Sequence, residues 1–247
     1  MSKKLRAFFI LFLLLILNTP PVQVSNAHES TPLMILNPGE GSEVTSPIHL
    51  SAEIQPNPGG LIRVALVNRE GQEISRKLLR MDTEKSIIGA TFSTDLPFEI
   101  PTDQTKALLT LSTLDSAYQT TALRSVEVLL NFEGGIAILN QTNPEPWLKI
   151  DNPQPSEFAS GGVLVIEGSV TPKSENPVIF ELITAEKRVV GSAQLAITTP
   201  NQRMPFEIPL KYTIHELRAD ANLIIRQTDQ IYGVLIALDI IPLTLSP

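Results

Sequence analysis

The pentapeptide PFEIP occurs twice in the chain, at residues 97–101 and 205–209. Proline at either end cannot donate to a strand ladder, so such a segment is confined to a short or edge strand. The phenylalanine and isoleucine lie two residues apart and therefore point to one face of that strand. Glu99 and Glu207 are expected to face solvent. The residues predicted to enter the core are Phe98, Ile100, Phe206 and Ile208.

Further similarity surrounds the two pentapeptides. Residues 107–111 match residues 221–225 at an offset of 114, and residues 35–38 match residues 150–153 at an offset of 115. Small differences in offset are expected where loops between repeated strands differ in length. A period of about 110 residues is far longer than the ~20 to 50 residues of solenoid repeats. The chain is therefore predicted to be a tandem duplication, with the two PFEIP segments at equivalent positions of two whole domains.

In each copy, apolar residues alternate with polar residues over short stretches that are separated by Pro, Gly, Asn and Asp. This pattern predicts half-buried strands joined by turns. About seven strands in about 100 residues is the size of an immunoglobulin-like sandwich. The predicted fold class is therefore all-β, with two tandem immunoglobulin-like antiparallel β-sandwiches after a signal peptide. Residues 212–219 are predicted to form a short helix or helical turn between sheets. The predicted strands include residues 48–54, 62–66, 126–130, 163–170, 178–183, 189–197, 223–225 and 234–240.

The N-terminus has the three parts of a secretory signal peptide. Three basic residues lie within the first six, an apolar run of 11 residues follows at positions 7–17, and Ser25-Asn26-Ala27 supplies the small residues of a cleavage site. A membrane-spanning helix needs about 20 apolar residues, so an uncleaved anchor is the weaker alternative. We expect cleavage after Ala27 and a mature chain that begins at His28, is extracellular or periplasmic, and has no membrane span.

The expected domain organisation follows from the signal peptide and the repeat. Residues 1–27 form the signal peptide, residues 28–132 the first immunoglobulin-like domain, residues 133–146 a linker, and residues 147–247 the second domain. The linker contains Gly134-Gly135 and the stretch NPEP at 143–146, whose prolines stiffen such a segment. Trp147, the single tryptophan, begins the second copy. It is predicted to fill the space between the domains.

Composition excludes some classes of function. The chain has no cysteine, and thus neither a disulfide framework nor a lipid-accepting thiol. Its formal net charge is -7, and loss of residues 1–27, which carry three positive charges, makes it -10. Affinity for nucleic acid comes largely from clustered Lys and Arg, so no nucleic-acid partner is expected.

The stretch NPGEGSEVTSPI at residues 37–48, with IRVAL at 62–66 and a turn at Gly71, resembles bacterial immunoglobulin-like domains of the spore-germination type. Those domains have a similar N-P-x-x-G-x-x-V-x-S-P-I opening and an aspartate-centred turn before the last strand, matched here by Asp115. The resemblance covers most of residues 33–131. In the second copy Ser160-Gly161-Gly162 replaces Ser-Pro-Ile, and residues 204–208 look like small secreted lipoprotein domains with a PFELP motif. The resemblance implies an extracytoplasmic interaction module.

Catalytic signatures are missing from the sequence. There is no cysteine nucleophile, no G-x-S-x-G elbow and no phosphate-cradling glycine loop. His215-Glu216 begins like a zinc-protease helix, but Ala219 occupies the position of the second histidine. Asp115 and Asp229 lack the neighbouring acids of a calcium loop and are predicted to be turn residues. We therefore expect no enzyme activity, no catalytic residue and no cofactor.

A copper site is the first alternative that the sequence leaves open, and an outright hydrolase is the second. After cleavage, His28 offers an amino and an imidazole nitrogen, the N-terminal chelate of copper-binding periplasmic proteins and copper oxygenases on similar sandwiches. Residues 28–44 also look somewhat like the start of copper-resistance sandwich proteins. His49 is the candidate second ligand; otherwise it is a polar residue on the outer face of its strand, with Ile48 and Leu50 in the core.

Together these features predict a secreted, non-catalytic binding or scaffold protein of the bacterial cell envelope. Its partner is expected to be a protein or another envelope component. The alternative is a periplasmic or extracellular copper-binding protein that uses His28.

Overall fold

The computed structural model describes residues 33–54, 60–81, 90–100, 104–132, 137–138 and 145–247. These residues form sixteen strands and no helix, so the predicted all-β fold is confirmed. The strands are β1 Leu33–Asn37, β2 Ser42–Val44, β3 Ile48–Ile54, β4 Leu61–Asn68, β5 Glu73–Arg80, β6 Ala90–Leu96, β7 Thr105–Leu114, β8 Thr120–Leu130, β9 Leu148–Asn152, β10 Glu157–Ala159, β11 Val163–Val170, β12 Val178–Thr184, β13 Val189–Leu195, β14 Met204–Lys211, β15 Ala219–Thr228 and β16 Leu235–Leu245.

The N-terminal half, meaning the described part of residues 33–132, packs two layers of strands together. One layer is the sheet β1-β3-β6, and the other has the order β5-β4-β7-β8, with the short β2 parallel to the end of β8. Alternation along β3 buries Ile48, Leu50, Ala52 and Ile54 on one face. These side chains share a core with Val64, Leu66, Leu109, Leu111, Val126 and Val128 from the facing layer.

The C-terminal half, residues 145–247, has the same strand arrangement. Its layers are β9-β11-β14 and β13-β12-β15-β16, with β10 parallel to the end of β16. The register also repeats, since Ile35 lies opposite Ala52 in the first half and Ile150 opposite Gly168 in the second. A separate core contains Leu148, Ile166, Val178, Phe180, Leu182, Leu210, Leu223 and Ile225.

The second PFEIP segment lies in an edge strand. Residues 205–209 belong to β14, which is at the edge of the β14-β11-β9 sheet. Phe206 and Ile208 are buried and Glu207 is exposed. The prediction of an edge strand with two side chains in the core is therefore confirmed for this copy.

Residues 97–100 of the first PFEIP segment lie beyond the preceding strand. β6 ends at Leu96, opposite Ile48, which is the first residue of β3. No strand partner remains for the following residues, and the amide of Phe98 donates instead to the Ser46 hydroxyl, 3.0 Å away. Phe98 is still buried and Ile100 partly so. The prediction of a strand is wrong for this copy, although the predicted burial of Phe98 is confirmed.

The two pentapeptides are also not equivalent in register. Phe206 lies opposite Gly168 in β11, whereas Phe92 lies opposite Ala52, the residue of β3 that corresponds to Gly168. The counterpart of Phe206 is thus Phe92, six residues before Phe98. The predicted equivalence is therefore wrong. Strand pairing in the two halves corresponds at offsets of 114 to 116 residues, not at the 108 residues that separate the pentapeptides.

Residues 212–219 are not helical, contrary to prediction. The amide of Tyr212 donates to the carbonyl of Gly162 at 3.0 Å, and that of Thr213 to the carbonyl of Val190 at 3.0 Å. The Tyr212 hydroxyl reaches the carbonyl of Ser246 at 2.9 Å. These bonds tie the start of the segment to the residue before β11, to β13 and to the C-terminus. The segment is an irregular connection with a bend at residues 216–217, and it joins β14 in one layer to β15 in the other.

Residues 1–32, with the expected signal peptide and His28, lie outside the described residues, as do residues 133–136 and 139–144 of the expected linker. The processing site and the domain boundaries stay predictions. Within the part of the chain that the structure describes, no helix is long and apolar enough to cross a membrane.

Phe206→Ala should lower the free energy of unfolding by about 3 to 5 kcal/mol, because it opens a cavity in the core. Phe206 packs edge-on against Phe180 with ring centroids 5.4 Å apart. The matched control is Phe158→Ala, since Phe158 is 56% exposed, and a change within about 0.5 kcal/mol is expected there. Urea denaturation measures both. Equal losses in the two variants would contradict this core assignment.

Candidate functional site at the junction of the two halves

The two halves meet where β8 and β16 pair as antiparallel strands. Leu123 lies opposite Leu238, and Arg124 opposite Ala237. This ladder joins the larger layers of both halves into one sheet with the order β13-β12-β15-β16-β8-β7-β4-β5. We call the β8–β16 ladder and the side chains beside it the junction.

A buried ion pair lies at the centre of the junction. Arg124 Nη2 is 2.8 Å from Oδ2 and 3.0 Å from Oδ1 of Asp239, and the two side chains are only 9% and 4% exposed. Arg124 Nη1 also donates to the carbonyls of Leu123 at 2.7 Å and Leu238 at 2.9 Å. Burial lowers the pKa of Arg124, and the charge of Asp239 opposes that shift. Hydrogen bonds of this kind offset the cost of removing two ions from water.

Trp147 completes the surroundings of the ion pair. Its indole Nε1 donates to Asp239 Oδ2 at 2.5 Å, and Arg124 Cζ lies 5.3 Å from the ring centroid. The tryptophan is 3% exposed and belongs to the core of the C-terminal half. It therefore contacts charged groups from both halves, which agrees with its predicted position between them.

An apolar cluster and a small cleft extend the junction on one side. Leu108 from the first half packs with Tyr232 and Ile236 from the second. The cleft beside them has a volume of about 200 Å³, below the ~300 to 1,000 Å³ of typical small-molecule pockets. Its lining residues are Glu40, Leu108, Ser125, Glu127, Lys173, Asn201, Asp229, Ile231, Tyr232 and Ile236.

The carboxylates of the cleft are held by the fold itself. Glu127 accepts hydrogen bonds from Lys106 Nζ at 2.6 Å and from the Tyr232 hydroxyl at 2.9 Å. Glu40 accepts one from the amide of Glu127 at 3.0 Å. Partial burial raises the pKa of Glu40, and the charge of Lys173 opposes the rise. The bond from Tyr232 connects the halves, and the other two fix Glu127 and Glu40 within the N-terminal half, so both carboxylates serve structural contacts at an interface.

His49 lies on the outer face of β3, as the alternative to a copper ligand predicted. It is exposed between buried Ile48 and Leu50, and its Nδ1 is 2.8 Å from Asp95 Oδ1. Leu33 lies opposite Ile54, five residues from His49 and about 17 Å away along β3. Five residues reach at most about 18 Å. Since β1 and β3 are antiparallel, the chain before Leu33 would have to turn back along the sheet to bring His28 to His49.

The remaining candidate residues lie in the connections between strands. His215 is exposed in the irregular connection 213–218. Asp115 Oδ1 accepts the amides of Ala117 and Gln119, both at 2.8 Å. Asp229 Oδ1 likewise accepts the amides of Ile231 and Tyr232. The prediction that both aspartates are turn residues is confirmed. No group of three or more potential metal-ligating side chains occurs among the residues that the structure describes.

Arg124 and Asp239 were missed by sequence reasoning. Each interrupts an apolar strand, in the stretches ALRSV at residues 122–126 and ALDII at 237–241. A charge inside such a strand, repeated at the duplication offset with opposite sign, is the signal that could have revealed them.

No protein-family model matches the chain, and no curated protein matches it. Among solved structures, a crystal structure of a mutant of the CFA/I enterotoxigenic E. coli adhesin CfaE is similar at 10% identity with a TM-score of 0.19. The alignment covers 90% of this chain and 85% of the adhesin chain. A likeness at this level carries no argument about function.

Copper binding by the mature chain is expected to be weak and equal in the wild type and in His49→Ala, because the chain cannot easily bring His28 to His49. Titration of protein that begins at His28 measures it. As a control, one extra residue before His28 should abolish the weak binding, since the chelate needs the free amine. A loss of tenfold or more in His49→Ala would instead establish a copper site.

Stability should fall at alkaline pH partly through Tyr232. Burial, together with the hydrogen bond and charge of Glu127, raises the pKa of this tyrosine. A raised folded-state pKa gives a contribution that is complete below the unfolded value of about 10 and is lost as the pH rises toward the folded value. Tyr232→Phe should therefore lose less of its unfolding free energy above about pH 10 than the wild type does.

Denaturant unfolding across pH 8 to 11 tests this pH dependence. Tyr118→Phe is the matched control, because Tyr118 is 62% exposed and outside the junction. The control should follow the wild-type profile. If the unfolding free energy of Tyr232→Phe had the same pH dependence as that of the wild type, titration of the Tyr232 phenol would not contribute to the loss of stability at alkaline pH.

Proposed function

We propose that the chain is a secreted, non-catalytic binding or scaffold protein of the bacterial cell envelope, made of two immunoglobulin-like units in fixed relation. The observation that carries the proposal is the junction, where a shared ladder and a buried ion pair connect the halves. Two units that are ordered before a partner arrives lose less conformational freedom on binding. Such a joint suits a protein that presents two surfaces at a set distance.

The sequence supports the envelope location and the class of partner. The features of residues 1–27 are those of a signal peptide. The acidic mature chain favours a protein or another envelope component over nucleic acid. The bonded carboxylates of the cleft favour an interface over proton transfer.

N-terminal sequencing and fractionation of the native protein test its location. The expected result is a chain that begins at His28 in the extracytoplasmic fraction. Purified mature protein should also bind isolated native envelopes saturably and be displaced by unlabelled protein, with heat-unfolded protein as the control. Recovery of uncleaved protein in the cytoplasm, or the absence of saturable binding, would contradict the proposal.

A further inference from the structure

Arg124 and Asp239 occupy equivalent positions in the two halves. In the first half Leu111 lies opposite Arg124, and in the second Ile225 lies opposite Asp239. Leu111 and Ile225 match in sequence at an offset of 114. The parallel strand pairs show the same correspondence between the halves. The last residue of β2 lies opposite Leu130, and the last residue of β10 lies opposite Leu245, 115 residues later. The two members of the buried ion pair are thus counterparts that differ in charge.

The junction has the symmetry of a contact between two copies of one unit. Leu123 and Leu238, which lie opposite each other, are themselves counterparts at an offset of 115. A two-fold axis relating the halves would pass through this pair, as in the isologous interface of a homodimer. Arg124 and Asp239 lie diagonally across that axis on the same face, which is within reach of long side chains.

Backbone geometry alone would let each half pair with another copy of itself. A contact between two N-terminal halves would bury one Arg124 against another. A contact between two C-terminal halves would bury two Asp239 carboxylates together. Like charges without water cost several kcal/mol, so both homotypic contacts are strongly disfavoured.

We propose that the Arg124–Asp239 pair determines which strand edge can pair with β8, and we call this pair the specificity lock. The β8 edge accepts the β16 edge of a C-terminal half and rejects a second β8 edge. The partner is the second half of the same chain, or of another copy by reciprocal exchange. Trp147 strengthens this choice, because it holds Asp239 through a bond within its own half and its contact with Arg124 exists only in the mixed pair. The lock does not depend on the proposed envelope role.

The test uses two full-length variants, Arg124→Asp and Asp239→Arg, studied alone and mixed. Each variant alone has like charges at its junction and should be a less stable monomer by light scattering and thermal melting. In the mixture every edge finds an oppositely charged edge on the other variant. We expect a 1:1 dimer whose association is on the order of 100-fold tighter than the self-association of either variant.

Combining both substitutions in one chain should return a monomer and most of the lost melting temperature. Self-association as strong as mixed association, or a combined variant no more stable than the single ones, would overturn the lock.

Neutral substitutions keep the test decisive if the charge reversals fail to fold. Arg124→Leu and Asp239→Leu each leave one buried charge without its partner, whereas the double leucine variant leaves none. The double variant should therefore be more stable than either single variant. Simple additivity of the two single losses in this cycle would contradict a specific pairing.

Discussion

The arrangement of the two halves depends on one buried ion pair, between Arg124 and Asp239. Desolvating both groups is unfavourable, and the contact persists because Nη1, Nη2 and both carboxylate oxygens are hydrogen-bonded. Loss of either partner would leave an uncompensated charge inside the junction. The pair can hold the halves together only if water is excluded from both strand edges and the two strands are in register. The β8–β16 ladder provides both conditions.

The ladder also solves a problem that each half would have alone. β2 and β10 cover only one end of β8 and β16, respectively. The uncovered part of such a last strand is an open edge that can pair with other chains. Each edge covers the other at Leu123 and Leu238. The β8–β16 ladder therefore joins the halves into one sheet and also protects their edges from other chains.

Alternating apolar residues such as those of β3 and β14 predicted strands and buried faces correctly, because a period of two is set by local geometry. The predictions that were wrong are those that depended on contacts between segments distant in the sequence. Residues 97–100 run past the start of β3 and have no ladder to join, and the amides of Tyr212 and Thr213 donate to neighbouring segments. Local patterns do not indicate that Arg124 meets a residue 115 positions away, so only the comparison of the two repeats could have pointed to the junction.

Native-state hydrogen exchange tests the central claim most directly, by following the amides of β8 and β16 that cross the junction. If the ion pair and ladder hold the halves together, these amides should exchange only through openings nearly as costly as unfolding of a whole half. Fast exchange at Leu123 and Leu238, while Leu109 and Leu223 in the two cores remain protected, would show instead that the halves separate freely.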